Sequence, residues 1–158
     1  MSKLPTVAII GQANVGKSSL FNRLTRSRTA IVAREAGTTR DNVVGKVSYK
    51  RRNVGSTPSD DYSQFWLIDT AGLKTAEDEF EATIQDQIAD ASAAADVILV
   101  TVDSTAYPSD ADRQLAKKAL KSGKPVILIA NKADLKGSLS IDEFKRLGIK
   151  NIIKTSAE

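Results

Sequence analysis

Cysteine and histidine are both absent from this chain of 158 residues, and methionine and tryptophan occur once each. Without cysteine there are no disulfides and no thiol nucleophile. Without either residue there is no Cys/His zinc site and no histidine-based triad. Catalysis therefore has to rest on carboxylates, Lys and Arg, hydroxyls, backbone amides or a hard metal ion. Long apolar runs are missing too: none approaches the ~20 residues of a membrane-spanning helix, and the N-terminal MSKL is too short and polar for a signal peptide. A cysteine-free chain of this kind is expected in the reducing cytoplasm.

What is present suits one α/β domain over residues 1–158. Hydrophobic residues make up 41% of the chain, enough for a core, and the net charge is +4. That excess lies in residues 1–79, with 12 basic and 8 acidic side chains, whereas residues 80–158 hold 11 of each. It is densest over 23–52, with nine basic residues against Glu35 and Asp41. Such a cluster could attract polyanions, nucleotide phosphate or RNA, but on charge alone an ordinary solvated surface is the favoured reading.

Continuous apolar runs at 6–10 (TVAII), 65–68 (FWLI), 97–102 (VILVTV), 126–130 (VILIA) and 151–153 (NII) predict strands buried on both faces of a parallel sheet. Residues 42–49 (NVVGKVSY) alternate imperfectly and read as an exposed, edge-like strand. Helices are expected at 18–26, at 80–95, at 110–122 with Asp110 as N-cap and Gly123 as the stop, and at 140–147 with a Ser140/Glu143 capping box. Segments 29–40 and 50–63 read as irregular, the second as a hairpin tip or insertion. Strands separated by helices imply a three-layer α/β/α sandwich with a mostly parallel central sheet.

Residues 11–18 (GQANVGKS) follow a strand and open a helix, the context a phosphate-binding loop requires. Its glycines turn backbone N–H groups around a phosphate chain, and the helix N-terminus adds a positive dipole end. Gly11, Asn14, Val15, Gly16, Lys17, Ser18 and Ser19 are the expected contacts. Lys17 reaches the β- and γ-phosphates, and Ser18 ligates Mg²⁺. Residues 69–72 (DTAG) end the next apolar run. Asp69 is placed to hold Mg²⁺, and Gly72 lets a backbone N–H approach the γ-phosphate. Residues 131–134 (NKAD) end the run VILIA. A carboxylate accepts both N1–H and N2–H of guanine, which adenine does not offer, so Asp134 selects the base. Asn131, followed by Lys132, ties this loop to the base and the phosphate loop. Residues 155–158 (TSAE) would donate the Ser156 and Ala157 amides to guanine O6. Thr38 and Thr39 are both candidates for a switch threonine that closes onto Mg²⁺ and the γ-phosphate. Thr39, just before Arg40 and Asp41, is the choice.

The ordered set GQANVGKS, Thr39, DTAG, NKAD and TSAE resembles the five G motifs of translation-factor-class GTPases. NVGKSSLFNRLT, AGTTRD, DTAGL and DEFKRLGIKNIIKTSAE look like the first G domain of the Der (EngA) ribosome-assembly GTPases, within the TrmE-Era-EngA-YihA-Septin-like group. Era and MnmE, with their roles on rRNA and in tRNA modification, are the nearest alternatives. The resemblance implies a P-loop NTPase fold and a Mg²⁺-dependent GTP/GDP switch with Lys17, Thr39 and Gly72 in the catalytic roles. It also implies a role in large ribosomal subunit assembly, with contact to the subunit or its rRNA through a longer polypeptide. That polypeptide would carry a second G domain and a KH-like domain, and the present chain would stop before its own final helix. Leu73 stands where Ras-like enzymes carry a water-orienting glutamine, which implies slow turnover by the isolated domain or a nucleotide-sensing module. Several relatives coordinate K⁺ through an asparagine at the Asn14 position, so Asn14 is the expected K⁺ ligand. A turn-capping asparagine is the alternative there.

Overall fold

A computed structural model of the chain describes residues 4–12, 15–25, 31–34, 41–50, 62–69 and 84–156. In chain order the elements are β1 (Thr6–Gly11), α1 (Lys17–Thr25), β2 (Ile31–Arg34), β3 (Asp41–Lys50), β4 (Tyr62–Asp69), α2 (Ile84–Ala94), β5 (Val97–Asp103), α3 (Asp110–Lys121), β6 (Val126–Asn131) and β7 (Asn151–Lys154), with two 3-10 turns, Ile141–Glu143 and Lys145–Leu147, before β7. The seven strands form one sheet in the order β2-β3-β4-β1-β5-β6-β7. β4, β1, β5, β6 and β7 run parallel, and β3 is antiparallel to both β4 and β2.

The unbroken apolar runs become central strands because both faces are covered. Ala8 and Ile10 of β1 face one core with Ala91 of α2, Leu115 of α3, Val100, Leu128 and Phe144. Ile9 points the other way, into a second core with Leu20 and Phe21 of α1, Val47, Leu67 and Ile129. This is the expected three-layer sandwich. Its parallel strands put Gly11, Asp69, Asp103 and Asn131 at their carboxyl ends on one edge of the sheet, where open α/β sheets bind ligands.

Four expectations are corrected. Residues 31–34 are a strand, not irregular chain, paired Ile31↔Val44 to Arg34↔Asp41 with β3. Four residues are too short to display a period, and the pairing comes from the partner. β3 is consequently not an edge strand, since β2 lies outside it. Around 140–147 there are two 3-10 turns rather than an α-helix, and Ser140 makes no side-chain cap. Phe144, fully buried, anchors this segment, and tight turns suffice to bring one aromatic inward. In α3 the N-cap is Ser109 rather than Asp110. Ser109 Oγ accepts from Asp112 N at 3.2 Å, and Ser109 N donates to Asp112 Oδ2 at 3.0 Å, a closed capping box. Asp110 instead pairs with Arg113 at 2.8 Å. Gly123 follows the C-cap with φ +80°, as the stop signal implied. The expected helix start at 80–83, most of the 50–63 segment and the rest of 29–40 lie outside the described residues. Among the described residues no helix is long and apolar enough to cross a membrane.

Candidate functional site

β1 hands over to the phosphate-type loop at Gly11, where a Cβ would lie 2.6 Å from the Thr101 carbonyl oxygen of β5. No side chain fits between these two strands. Lys17, the first residue of α1, folds back and donates from Nζ to the Gly11 carbonyl at 2.6 Å, with only 8% of its surface exposed. An ammonium is thus held at the mouth of the loop, beside the helix N-terminus. Gly16 has φ +92°, left-handed backbone that L side chains rarely adopt. Val15 is buried, whereas Ser18 and Ser19 are exposed on the first turn of α1. Asp69 ends β4 opposite Ile9 of β1 and is buried. A hydroxyl and a carboxylate are hard oxygen donors of the kind Mg²⁺ takes, completed by phosphate oxygens and water. Among the described residues no group of three or more His, Cys, Asp or Glu forms a protein-only metal cage. The donor set therefore fits an ion held partly by its ligand.

The other end of the site is built around Asn131, which is 1% exposed. Its Nδ2 donates to the Val15 carbonyl at 3.0 Å, and its Oδ1 accepts from Thr155 Oγ1 at 2.9 Å. Its own carbonyl accepts from Ser104 Oγ at 2.6 Å and Ser104 N at 2.9 Å. One side chain so joins the phosphate loop to the end of β7, while its backbone holds the loop after β5. A Cβ on Gly16 would strike the Asn131 amide nitrogen, so the two ends are packed to contact. Lys132 has φ +62°, uncommon for a lysine, and its Nζ lies 3.2 Å from Asp103 Oδ2. Burial pushes the Asp103 carboxyl up, but the Thr105 hydroxyl and backbone N–H and the Lys132 ammonium outweigh it and hold it below its ordinary value of 3.8. The Ala133 amide donates to the Thr155 carbonyl at 3.0 Å, and Asp134 beyond it is exposed.

The structure therefore brings together Gly11, Val15, Gly16, Lys17, Ser18, Ser19, Asp69, Asn131, Lys132, Asp134 and Ser156 along one edge of the sheet. Asn14, Thr39, Gly72, Leu73 and Ala157 lie outside the described residues. The expected tie from Asn131 to the phosphate loop is present, as the bond to Val15. Sequence reasoning missed Ser104, Thr155 as the partner of Asn131, and Gln12. Gln12 Nε2 donates to Ser109 Oγ and to Asp112 Oδ1, both at 2.6 Å. The Ser109-x-x-Asp112 spacing is a capping-box signature and was the available signal for that end of α3.

Comparison with known proteins is consistent with this geometry. Residues 6–132 match the protein family described as 50S ribosome-binding GTPase. GTPase Der of Porphyromonas gingivalis is 43% identical over 90% of this chain and 31% of its own length, and GTPase Der of Gemmatimonas aurantiaca is 39% identical over 98% and 33%. The chain thus spans about a third of the length of the curated relatives it matches. Among solved structures, the G domain of the Thermotoga maritima FeoB iron transporter superposes with a TM-score of 0.67 at 29% identity, covering 98% of this chain and 89% of that one. Era in complex with MgGDPNP and nucleotides 1506–1542 of 16S ribosomal RNA gives a TM-score of 0.67 at 29% identity, over 99% of this chain and 52% of that one.

Proposed function

The chain belongs to the 50S ribosome-binding GTPase family, and from that premise we propose that its sheet edge binds GTP and GDP with Mg²⁺ and hydrolyses GTP as the switch of a larger ribosome-assembly protein. The observation that carries the reading is the Asn131 side chain, buried between the Val15 carbonyl and Thr155, because it joins a phosphate loop to a base loop in one rigid unit. In this reading the backbone of residues 11–19 cradles the phosphates, and the Lys17 ammonium moves from the Gly11 carbonyl to the β- and γ-phosphate oxygens. Asp134, exposed and ready to accept, takes the guanine N1–H and N2–H. The amides of Ser156 and Ala157 donate to O6. Ser18 and Asp69 would hold Mg²⁺, which supplies positive charge against the phosphate oxygens when bound. Thr39 and Gly72 complete the γ-phosphate contacts, and Asn14 takes K⁺.

Leu73 cannot orient water as an amide would, so turnover by this chain alone is slow and stimulated by K⁺ but not by Na⁺. The proposed partner is the large ribosomal subunit or its rRNA, engaged in the cytoplasm through a longer polypeptide with a second G domain and a KH-like domain. The family description supports the large subunit as partner, and Era bound to 16S rRNA supports only a general link of such G-domain proteins to ribosomal RNA. Competition binding tests the core of the proposal. GTP and GDP should bind far more tightly than ATP. Asp134→Asn should weaken GTP by tens- to thousands-fold, the cost of about 2–5 kcal/mol for a lost charged acceptor. Comparable ATP and GTP affinity would remove the guanine assignment.

A further inference from the structure

We propose that Gln12 is a positioning residue for the phosphate loop, held by the capping box of α3 so that the Lys17 ammonium keeps one resting place. The proposal rests on the nucleotide reading above. Gln12 is the residue directly after β1, and its amide spends both hydrogens on α3, 2.6 Å to Ser109 Oγ and 2.6 Å to Asp112 Oδ1. These partners are 97 and 100 residues away in the chain. The acceptors are themselves fixed. Asp112 is 7% exposed, its Oδ2 accepts from Ser109 N at 3.0 Å, and its N–H donates to Ser109 Oγ at 3.2 Å. A carboxylate this buried needs donors on both oxygens, and Gln12 supplies the one that the capping box does not.

The peptide joining Gly11 to Gln12 is thus gripped from two sides. β5 backs it, with Gly11 in register with Thr101 and no room for a side chain between them. α3 holds it through the Gln12 amide. The carbonyl of that same peptide accepts from Lys17 Nζ at 2.6 Å. Freeing the peptide frees the acceptor that parks the ammonium, and an incoming phosphate must then order the loop itself. Pre-organisation of this kind acts on affinity rather than on base choice, because the two Gln12 hydrogen bonds run to Ser109 and Asp112 at the start of α3 rather than to the base loop.

Calorimetric titration of the chain with GDP and with a non-hydrolysable GTP analogue, alongside thermal melts, tests the proposal. Gln12→Ala should weaken both nucleotides by a similar factor, roughly tenfold, because each must then order the peptide joining Gly11 to Gln12 as it binds. Its preference for GTP over ATP should stay near wild type, whereas its melting temperature should fall by a few degrees, because the buried Asp112 Oδ1 loses its donor even though α3 retains its own capping box. Gln12→Lys keeps donors for Asp112 and Ser109 and should recover most of the lost affinity. Wild-type affinity in Gln12→Ala would overturn the proposal and leave the two bonds as anchors of α3 alone. So would a Gln12→Lys variant as weak as Gln12→Ala. A wild-type chain that binds no guanine nucleotide defeats the nucleotide reading itself, and the inference falls with it. The wild-type titration thus separates the two failures.

Discussion

The two ends of the site are built by opposite means. The phosphate end is shaped by side chains it lacks: Gly11 leaves room for the Thr101 carbonyl, and Gly16 adopts φ +92° against the Asn131 amide. The base end is shaped by one side chain it has, Asn131, buried and bonded to Val15 and Thr155. One end should therefore be intolerant of added atoms and the other of removed ones. They meet where the Asn131 amide reaches the Val15 and Gly16 carbonyls, so neither is independent of the other.

The largest expected loss is from Gly16→Ala. Left-handed backbone costs an L residue about 1–2 kcal/mol, and displacing the Asn131 amide leaves the buried Val15 carbonyl unsatisfied for about 1–3 kcal/mol more. Asn131→Ala should cost about 2–3 kcal/mol by removing the same bond and the acceptor of Thr155. Because the truncated Asn131 no longer stands in the way of the new Cβ, the double variant should lose less than the sum of the two, by about 1 kcal/mol or more. Urea denaturation of the four chains measures this, and additive losses would mean that the ends are separate after all.

Gly123→Ala sharpens the same comparison. Gly123 has φ +80° and no atom within 4 Å of its would-be Cβ, so only the backbone strain applies, about 1 kcal/mol. A Gly123→Ala loss as large as that of Gly16→Ala would remove the steric half of the argument.

The smallest effect belongs to Asp103→Asn at the base end. The carboxyl is held below its ordinary value of 3.8, so its stabilisation is fully present above that pH and is lost as pH falls through the lower folded value. With its side chain 26% exposed and its partner Lys132 33% exposed, the pair is well solvated, and a few tenths of a kcal/mol is the expected scale. The wild-type urea midpoint should fall more steeply below about pH 4 than that of Asp103→Asn. Parallel acid limbs would show that the pair adds nothing.

Legibility in the sequence followed the range of the interactions. TVAII, VILVTV and VILIA declared β1, β5 and β6 because strands covered on both faces need no polar alternation. The stop of α3 was legible because Gly123 acts through its own backbone. β2 was not, since IVAR carries too few residues for a period and exists through its pairing with β3. Nor was the Ser140 segment. There the Ser140/Glu143 spacing was present, but burial of Phe144 shaped two 3-10 turns and left the box unmade.

By itself the sequence determined the local chemistry of this protein. It specified a glycine-bearing loop between a strand and a helix, a lysine and a serine at that helix start, and acid-bearing loops after later strands. Which of these residues meet was decided by tertiary structure. Asn131 reaches the Val15 carbonyl across 116 residues, and Gln12 reaches Ser109 across 97. Such contacts depend on the strand order β4-β1-β5-β6-β7 and on parallel pairing, which bring the carboxyl ends of distant segments to one edge. Strand order follows from burying all the apolar runs together in one sheet, a property of the whole chain that no single segment encodes.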